Sequence, residues 1–350
     1  MSVTVTNRPF GTLADGREVT AYTLADDGGM QVTVLDYGGI LQSVVVPTPA
    51  GAVDVVLGFD SPHGYQNVDG YLGALIGRNA NRLGDAFIEI DGCRFALTAN
   101  EGTKQLHGGL MGFNQKLFDV SVIEGGIALR CESMDGEEGY PGTLSLTASY
   151  TLQNGNALSL DYFATCTKDT VVNITNHSYF NLNGGGDAMQ HTLRLNASRL
   201  TPMDALSLPD GSFAEVAGTP FDFTTPHTLA QRIDANDGQL VFGNGYDHNF
   251  VLDRPAGAQG CTLAAVLTGD ESGIAMECST TCPGIQLYTA NFLNSGDIAG
   301  KGGAPYRPRQ AVCLETQYFP NANICKNFPS TVLRAGKAYH ETTVYSFSHR

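Results

Sequence analysis

The chain contains no tryptophan, and its 20 Lys and Arg residues are outnumbered by 35 Asp and Glu, giving a formal net charge of −15. A ligand platform built on indole rings is therefore excluded. A nucleic-acid binder needs a concentrated basic face, and an anionic membrane repels such a chain. The longest basic cluster, Arg307 and Arg309, is too small for either partner. No apolar run approaches ~18 residues, so no membrane-spanning helix is expected. The opening stretch from Met1 to Asn7 has neither the charged nor the apolar segment of a secretory signal.

The eight cysteines follow no disulfide rhythm. Cys278 and Cys282 are spaced like half a metal site, but no second pair of ligands follows them, so zinc is not expected. Reduced thiols fit a cytoplasmic location. Also missing are a Gly-x-x-x-x-Gly-Lys-Ser/Thr phosphate loop, a Gly-x-Gly-x-x-Gly strand-to-helix turn and a Gly-x-Ser-x-Gly nucleophile elbow. These absences leave no expected cofactor and no metal.

What is present is glycine, at 42 positions, together with strand-like alternation. Leu144, Leu146, Ala148, Tyr150 and Leu152 alternate with Thr and Ser. Asn154-Gly155 then offers a type I′ turn, and Leu158, Leu160 and Tyr162 alternate on the return. Asp91-Gly92 repeats the device between Phe87–Ile90 and Cys93–Leu97, as does Asp15-Gly16 further upstream. A closing strand is expected over Thr342–Phe347. Helical periodicity is confined to 72–81 and 228–233. The pattern predicts one all-β domain over 1–350, a large antiparallel β-sandwich with long loops.

Six polar clusters interrupt this β pattern. Arg78-Asn79-Ala80-Asn81-Arg82 offers many donors to an oxygen-rich ligand. Leu106-His107-Gly108-Gly109 lets backbone approach a ligand closely. Thr175-Asn176-His177-Ser178-Tyr179 follows a β-rich run, placing an imidazole that titrates near neutrality on or just past a strand. Tyr246-Asp247-His248-Asn249 presents a carboxylate able to orient a hydroxyl. Gln286, Tyr288 and Ala290 alternate toward one face. Within Val312-Cys313-Leu314-Glu315-Thr316-Gln317, a carboxylate in an apolar stretch is costly to bury unless it is paired or functional. Each cluster alone also has a structural reading, as a capped loop, a core histidine or a solvated edge.

In their order along the chain, these clusters resemble the aldose 1-epimerase (galactose mutarotase) family. The likeness includes Leu35-Asp36-Tyr37-Gly38-Gly39 and Gly139-Tyr140-Pro141-Gly142 and ends with Ala335-Gly336-Lys337. The resemblance implies a galactose mutarotase-like supersandwich acting on a small monosaccharide, as a monomer or homodimer. It implies that His177 is the acid and Glu315 the base, and that Asn81, Arg82, His107, Asp247 and Gln286 bind the sugar. Two departures stand out. Lys104 occupies a position where the family often has Asn, and Asn321 one where it often has Asp.

Ring opening of a hemiacetal removes the proton of the anomeric hydroxyl and protonates the ring oxygen, a task suited to a carboxylate and an imidazole. On this assignment the rate should fall in acid as Glu315 protonates, with His177 governing the alkaline side. Three rivals remain from the sequence. A hexose-phosphate mutarotase would recruit Arg78, Lys104, Arg307 or Arg309 to a phosphate. A glycosidase would use Asp247 and Glu315 as its carboxylates. A non-catalytic carbohydrate-binding module would bind through exposed aromatics.

Overall fold

A computed structural model describes residues 2–349, and strands dominate it. Five N-terminal strands, from Val3–Thr12 to Gly51–Asp54, meander in chain order. A nine-stranded antiparallel sheet has Ala338–His349 near its centre, paired to Ala157–Cys166 on one side and Ile274–Thr280 on the other. A six-stranded antiparallel sheet is built on Val312–Gln317, Gly284–Tyr288 and Asp247–Val251.

Pairing register fixes which side of the six-stranded sheet faces what, because directly opposed residues share a face. Leu314 opposes Leu287, and Thr316 opposes Ile285, which in turn opposes Phe250. The apolar members of this set enter one hydrophobic core with Leu146, Leu160, Met276 and Tyr345 of the nine-stranded sheet. Tyr345 donates to the Leu314 carbonyl at 3.3 Å, tying the two layers together. Each such aliphatic side chain contributes about 1.5–3 kcal/mol by leaving water. The opposite face of the same strands carries Glu315, Gln286 and Asn249 in one cross-strand row. A sandwich core on one side thus forces a polar row out on the other, where loops cover it.

The local expectations fared unevenly. Asp91 (φ 50°) and Gly92 (φ 80°) close a two-residue hairpin between Ile90 and Cys93, as a type I′ turn requires. At Asn154 the loop takes a third residue, Asn156, because Gln153 pairs with Ala157; the left-handed residues are Gly155 and Asn156. The closing strand is longer than expected, at Ala338–His349. No helix forms over 72–81. Gly73 is held at φ 69° against the Leu41 carbonyl and Asn81 at φ 63°, so the segment runs extended through Leu75–Ile76. Over 228–233 a single 3-10 turn forms, Leu229–Gln231. Among the described residues, no helix is long and apolar enough to cross a membrane.

Candidate active site

Loops close over the polar face of the six-stranded sheet and leave a cavity of about 530 Å³. Its wall brings together Asn81, Arg82, His107, His177, Asp247, Tyr288 and Glu315, so all six clusters reach it. Gln286, from the same cluster as Tyr288, stands one step behind. It lines a small adjoining cavity, and its Nε2 donates to Asp247 Oδ1 at 2.7 Å.

Glu315 is held by its strand between Leu314 and Thr316, both turned to the core, and is 2 % exposed. His177 follows the two-residue strand Thr175–Asn176, with its backbone N–H bonded to the Ala74 carbonyl. Its Nε2 lies 3.7 Å from Glu315 Oε1, and the Tyr179 ring stacks on its imidazole at 5.1 Å. Burial dominates both groups. It pushes His177 down to about 4 and, with the charge of Asp247, drives Glu315 well above the usual carboxylate range. Both shifts favour the neutral side chain.

Arg82 presents its Nε and Nη2 to Glu101 at 2.8 and 2.9 Å, a bidentate pair, while its Nη1 stands 3.9 Å from Asp247 Oδ2. Burial opposes the guanidinium charge, but the Glu101 bonds together with the carboxylate charges of Asp247, Glu101 and Glu315 outweigh it and raise the Arg82 pKa. Burial raises Asp247, against the pull of Arg82 and Gln286. This chain of charges leaves donor and acceptor edges facing the cavity, the equipment for binding hydroxyls.

His107 and Asn81 are locked together. The Asn81 N–H donates to His107 Nδ1 and the His107 N–H to the Asn81 carbonyl, both at 3.2 Å. Both residues have left-handed φ, 63° and 52°. The glycines after His107 serve the backbone rather than a ligand. A Cβ on Gly108 would sit 2.1 Å from the Gly77 carbonyl oxygen, and one on Gly109 2.2 Å from Glu138 Oε2.

The ligand atoms of His107, His177 and Glu315 lie within 4.8 Å of one another, a donor set that could hold a transition metal. The tautomer argues otherwise. Because His107 Nδ1 accepts a hydrogen bond, the neutral ring carries its proton on Nε2, which is then a donor and not a ligand. Dialysis against a chelator is therefore expected to leave the reaction rate unchanged. A loss restored by zinc or magnesium would show that His107 adopts the other tautomer and that the three groups bind metal.

Arg78, expected beside the ligand, lies elsewhere. Its guanidinium is buried and donates to the carbonyls of Ser133, Met134, Pro141 and Gly142 at 2.9–3.2 Å, pinning distant loops. Ala290 does not extend the face of Gln286 and Tyr288, since the strand ends at Tyr288 and Ala290 has φ 52°. Several wall residues carried no motif signal: Glu101, Tyr71, Asn100, Ser207 and the rim ring Phe242. Only the acidic side chain of Glu101 in a turn near Lys104 hinted at a partner for Arg82.

Fold and site together describe a β-sandwich enzyme equipped to move protons on a small, hydroxyl-rich molecule. Comparison with known proteins narrows this. The family model described as Aldose 1-epimerase matches residues 20–346. Galactose mutarotase of Bos taurus is 38 % identical over 349 residues, covering 99 % of each chain. Aldose 1-epimerase of Escherichia coli (strain K12) is 36 % identical, covering 95 % of this chain and 96 % of its own. The crystal structure of galactose 1-epimerase from Lactobacillus acidophilus NCFM superposes with a TM-score of 0.85 at 29 % identity, over 99 % of both chains. The chain belongs to the aldose 1-epimerase family, a group of isomerases acting on carbohydrates.

Proposed function

We propose that this chain interconverts the α and β anomers of free aldohexoses such as glucose and galactose, with Glu315 as base and His177 as acid. The observation that carries the reading is the 3.7 Å approach of His177 Nε2 to Glu315 Oε1 at the wall of a cavity that also displays Arg82 and Asp247. Glu315 takes the proton of the anomeric hydroxyl as the C1–O5 bond breaks, and His177 delivers a proton to O5. Rotation about C1–C2 turns the other carbonyl face, and closure returns both protons. Asn81, Arg82, His107, Asp247 and Gln286 hold the remaining hydroxyls and retain the open chain. Polarimetry on a freshly dissolved pure anomer tests the reading directly, and no acceleration over buffer for any aldose would overturn it.

Three of the four cations named for a phosphate are engaged, and the fourth, exposed Arg307, does not line the cavity. Arg78 clamps carbonyls, Lys104 pairs with Glu101 at 3.0 Å and Arg309 with Asp234 at 2.8 Å. This favours an unphosphorylated sugar. Release of sugar from a glycoside would instead favour the glycosidase reading, and a purely binding module would have no use for the buried proton pair. Residues 1–350 are read as one domain carrying a whole site, so a monomer suffices and a homodimer would carry two. The eight unpaired cysteines support a reducing, cytoplasmic setting.

Replacing Arg82 or Asp247 by Ala is expected to raise the Michaelis constant by roughly 10–100-fold, the worth of one or two hydrogen bonds to a charged group. Turnover should fall less, because neither residue moves a proton. The readout is initial mutarotation rate against sugar concentration. A wild-type Michaelis constant in both variants would remove these residues from hydroxyl recognition.

A further inference from the structure

The turn at 204–209 is closed by its own hydrogen bonds. Asp204 N–H donates to the Leu208 carbonyl at 3.0 Å and Ser207 N–H to the Asp204 carbonyl at 2.9 Å. Asp204 Oδ1 accepts from the N–H groups of Leu206 and Leu208, at 2.8 and 3.0 Å. Such a unit holds its own shape, and ties from outside fix where it sits. Besides the Cys325 thiol, 3.5 Å from the Pro209 carbonyl, two polar side chains supply them. Lys104 Nζ donates to the Leu206 carbonyl at 2.6 Å, and Asn321 Nδ2 reaches the Pro209 carbonyl at 3.5 Å, the long limit of a hydrogen bond.

Both ties lead back to the Arg82 segment. Lys104 Nζ also pairs with Glu101 Oε2 at 3.0 Å, and Glu101 grips Arg82. Asn321 Oδ1 accepts from the Gly84 N–H at 3.1 Å, and its backbone N–H donates to the Arg82 carbonyl at 2.9 Å. Between the ties stands Ser207, in left-handed backbone at φ 59°, lining both the large cavity and the small one beside Gln286. Lys104 and Asn321, far apart in the chain, thus meet on one turn.

We propose that Lys104 and Asn321 are positioning residues that hold Ser207 in the cavity wall, and that the Ser207 hydroxyl is a specificity-determining contact for one hydroxyl of the aldose. This rests on the mutarotase reading above. The chemistry at each tie is specific. The ammonium of Lys104 satisfies a carboxylate and a carbonyl together, which Met, sharing its stem, cannot do. An Asp at 321 would keep the shape and tolerate the left-handed backbone. It would lose the N–H, however, and face the Pro209 carbonyl with a negative oxygen.

The experiment measures kcat and KM by polarimetry for a panel of epimeric and deoxy aldoses. Lys104→Met and Asn321→Asp are each expected to raise KM about three- to tenfold, the range of one partly buried polar tie. They should change kcat less than about twofold, while altering the kcat/KM ratio between two epimers by about threefold or more. Ser207→Ala should shift that ratio in the same direction, and adding Lys104→Met to it should shift it no further, because both act through one hydroxyl. Lys104→Arg should restore KM and the ratio. Wild-type KM and ratios in folded Lys104→Met and Asn321→Asp variants would overturn the proposal. So would a lowered melting temperature and kcat with ratios unmoved, which marks a structural role alone. An unmodified chain inactive on every aldose would overturn the mutarotase reading as well, and the two failures are thereby distinct.

Discussion

Glu315→Gln is expected to lower mutarotation turnover by roughly 10²–10⁴-fold, the usual worth of one general acid–base group. Glutamine keeps the shape of the side chain but cannot accept the proton of the anomeric hydroxyl. The substitution leaves the strand itself alone. Leu314 and Thr316 still face the core, and the Leu314 carbonyl still receives the Tyr345 hydroxyl. It also removes a carboxyl group whose ionisation burial opposes, so the folded state should not suffer. A thermal melt near that of the wild type is the control, and polarimetry on a pure anomer is the measurement. Retention of more than about a tenth of wild-type turnover, less than the smallest loss such a group gives, would mean that another residue is the base.

Much of the sheet was legible because one face of each strand is solvated. The run from Leu144 to Leu152 buries every second residue, which is the alternation its sequence shows. The strand that carries Glu315 is different. All six residues of Val312–Gln317 are buried, one face under the other sheet and the other under loops, so no period of two survives. There the signal was a single carboxylate among apolar neighbours. The seven expected site residues do gather at one place in the fold, six on the large cavity and Gln286 behind it. What the sequence could not convey was long-range pairing. Arg78 and Arg82 stand four positions apart in the same cluster. One grips carbonyls of a loop some sixty residues away, and the other grips Glu101 beside the cavity. Nothing local separates them, because the partners that decide their roles come from elsewhere in the chain. The loop at Asn154 failed for a related reason. Asn-Gly accepts positive φ wherever it falls, but register on the paired strands decides how many residues the turn takes.

His177→Asn should cost turnover a similar factor, roughly 10²–10⁴-fold, and it should also reverse the pH dependence on the alkaline side. The sequence alone assigns the acid limb to Glu315 and the alkaline limb to His177; burial inverts that order. Burial holds His177 down to about 4 and raises Glu315 well above its ordinary range, so between the two titrations the pair carries one proton, resting on Glu315 in the free enzyme. Moving that proton to His177 gives the reactive arrangement, an ionised base and a charged acid, with no change in proton count. The ratio of the two arrangements is thus independent of pH, and the limbs belong to the pair. In the wild type, kcat/KM should fall in acid, near pH 4, as His177 takes up a second proton. It should fall in alkali as Glu315 loses the shared one. Without His177, the residual reaction needs only an ionised Glu315 and water as the acid, so kcat/KM should rise through the pH at which the wild type declines. The double variant should lose that rising limb, yet be far less than multiplicatively slower than the single variants, because the two transfers work together. Initial rates from acid to alkaline pH, on variants whose melts match the wild type, give the answer. A falling alkaline limb in His177→Asn would show that the proton lost there is not the one shared with Glu315.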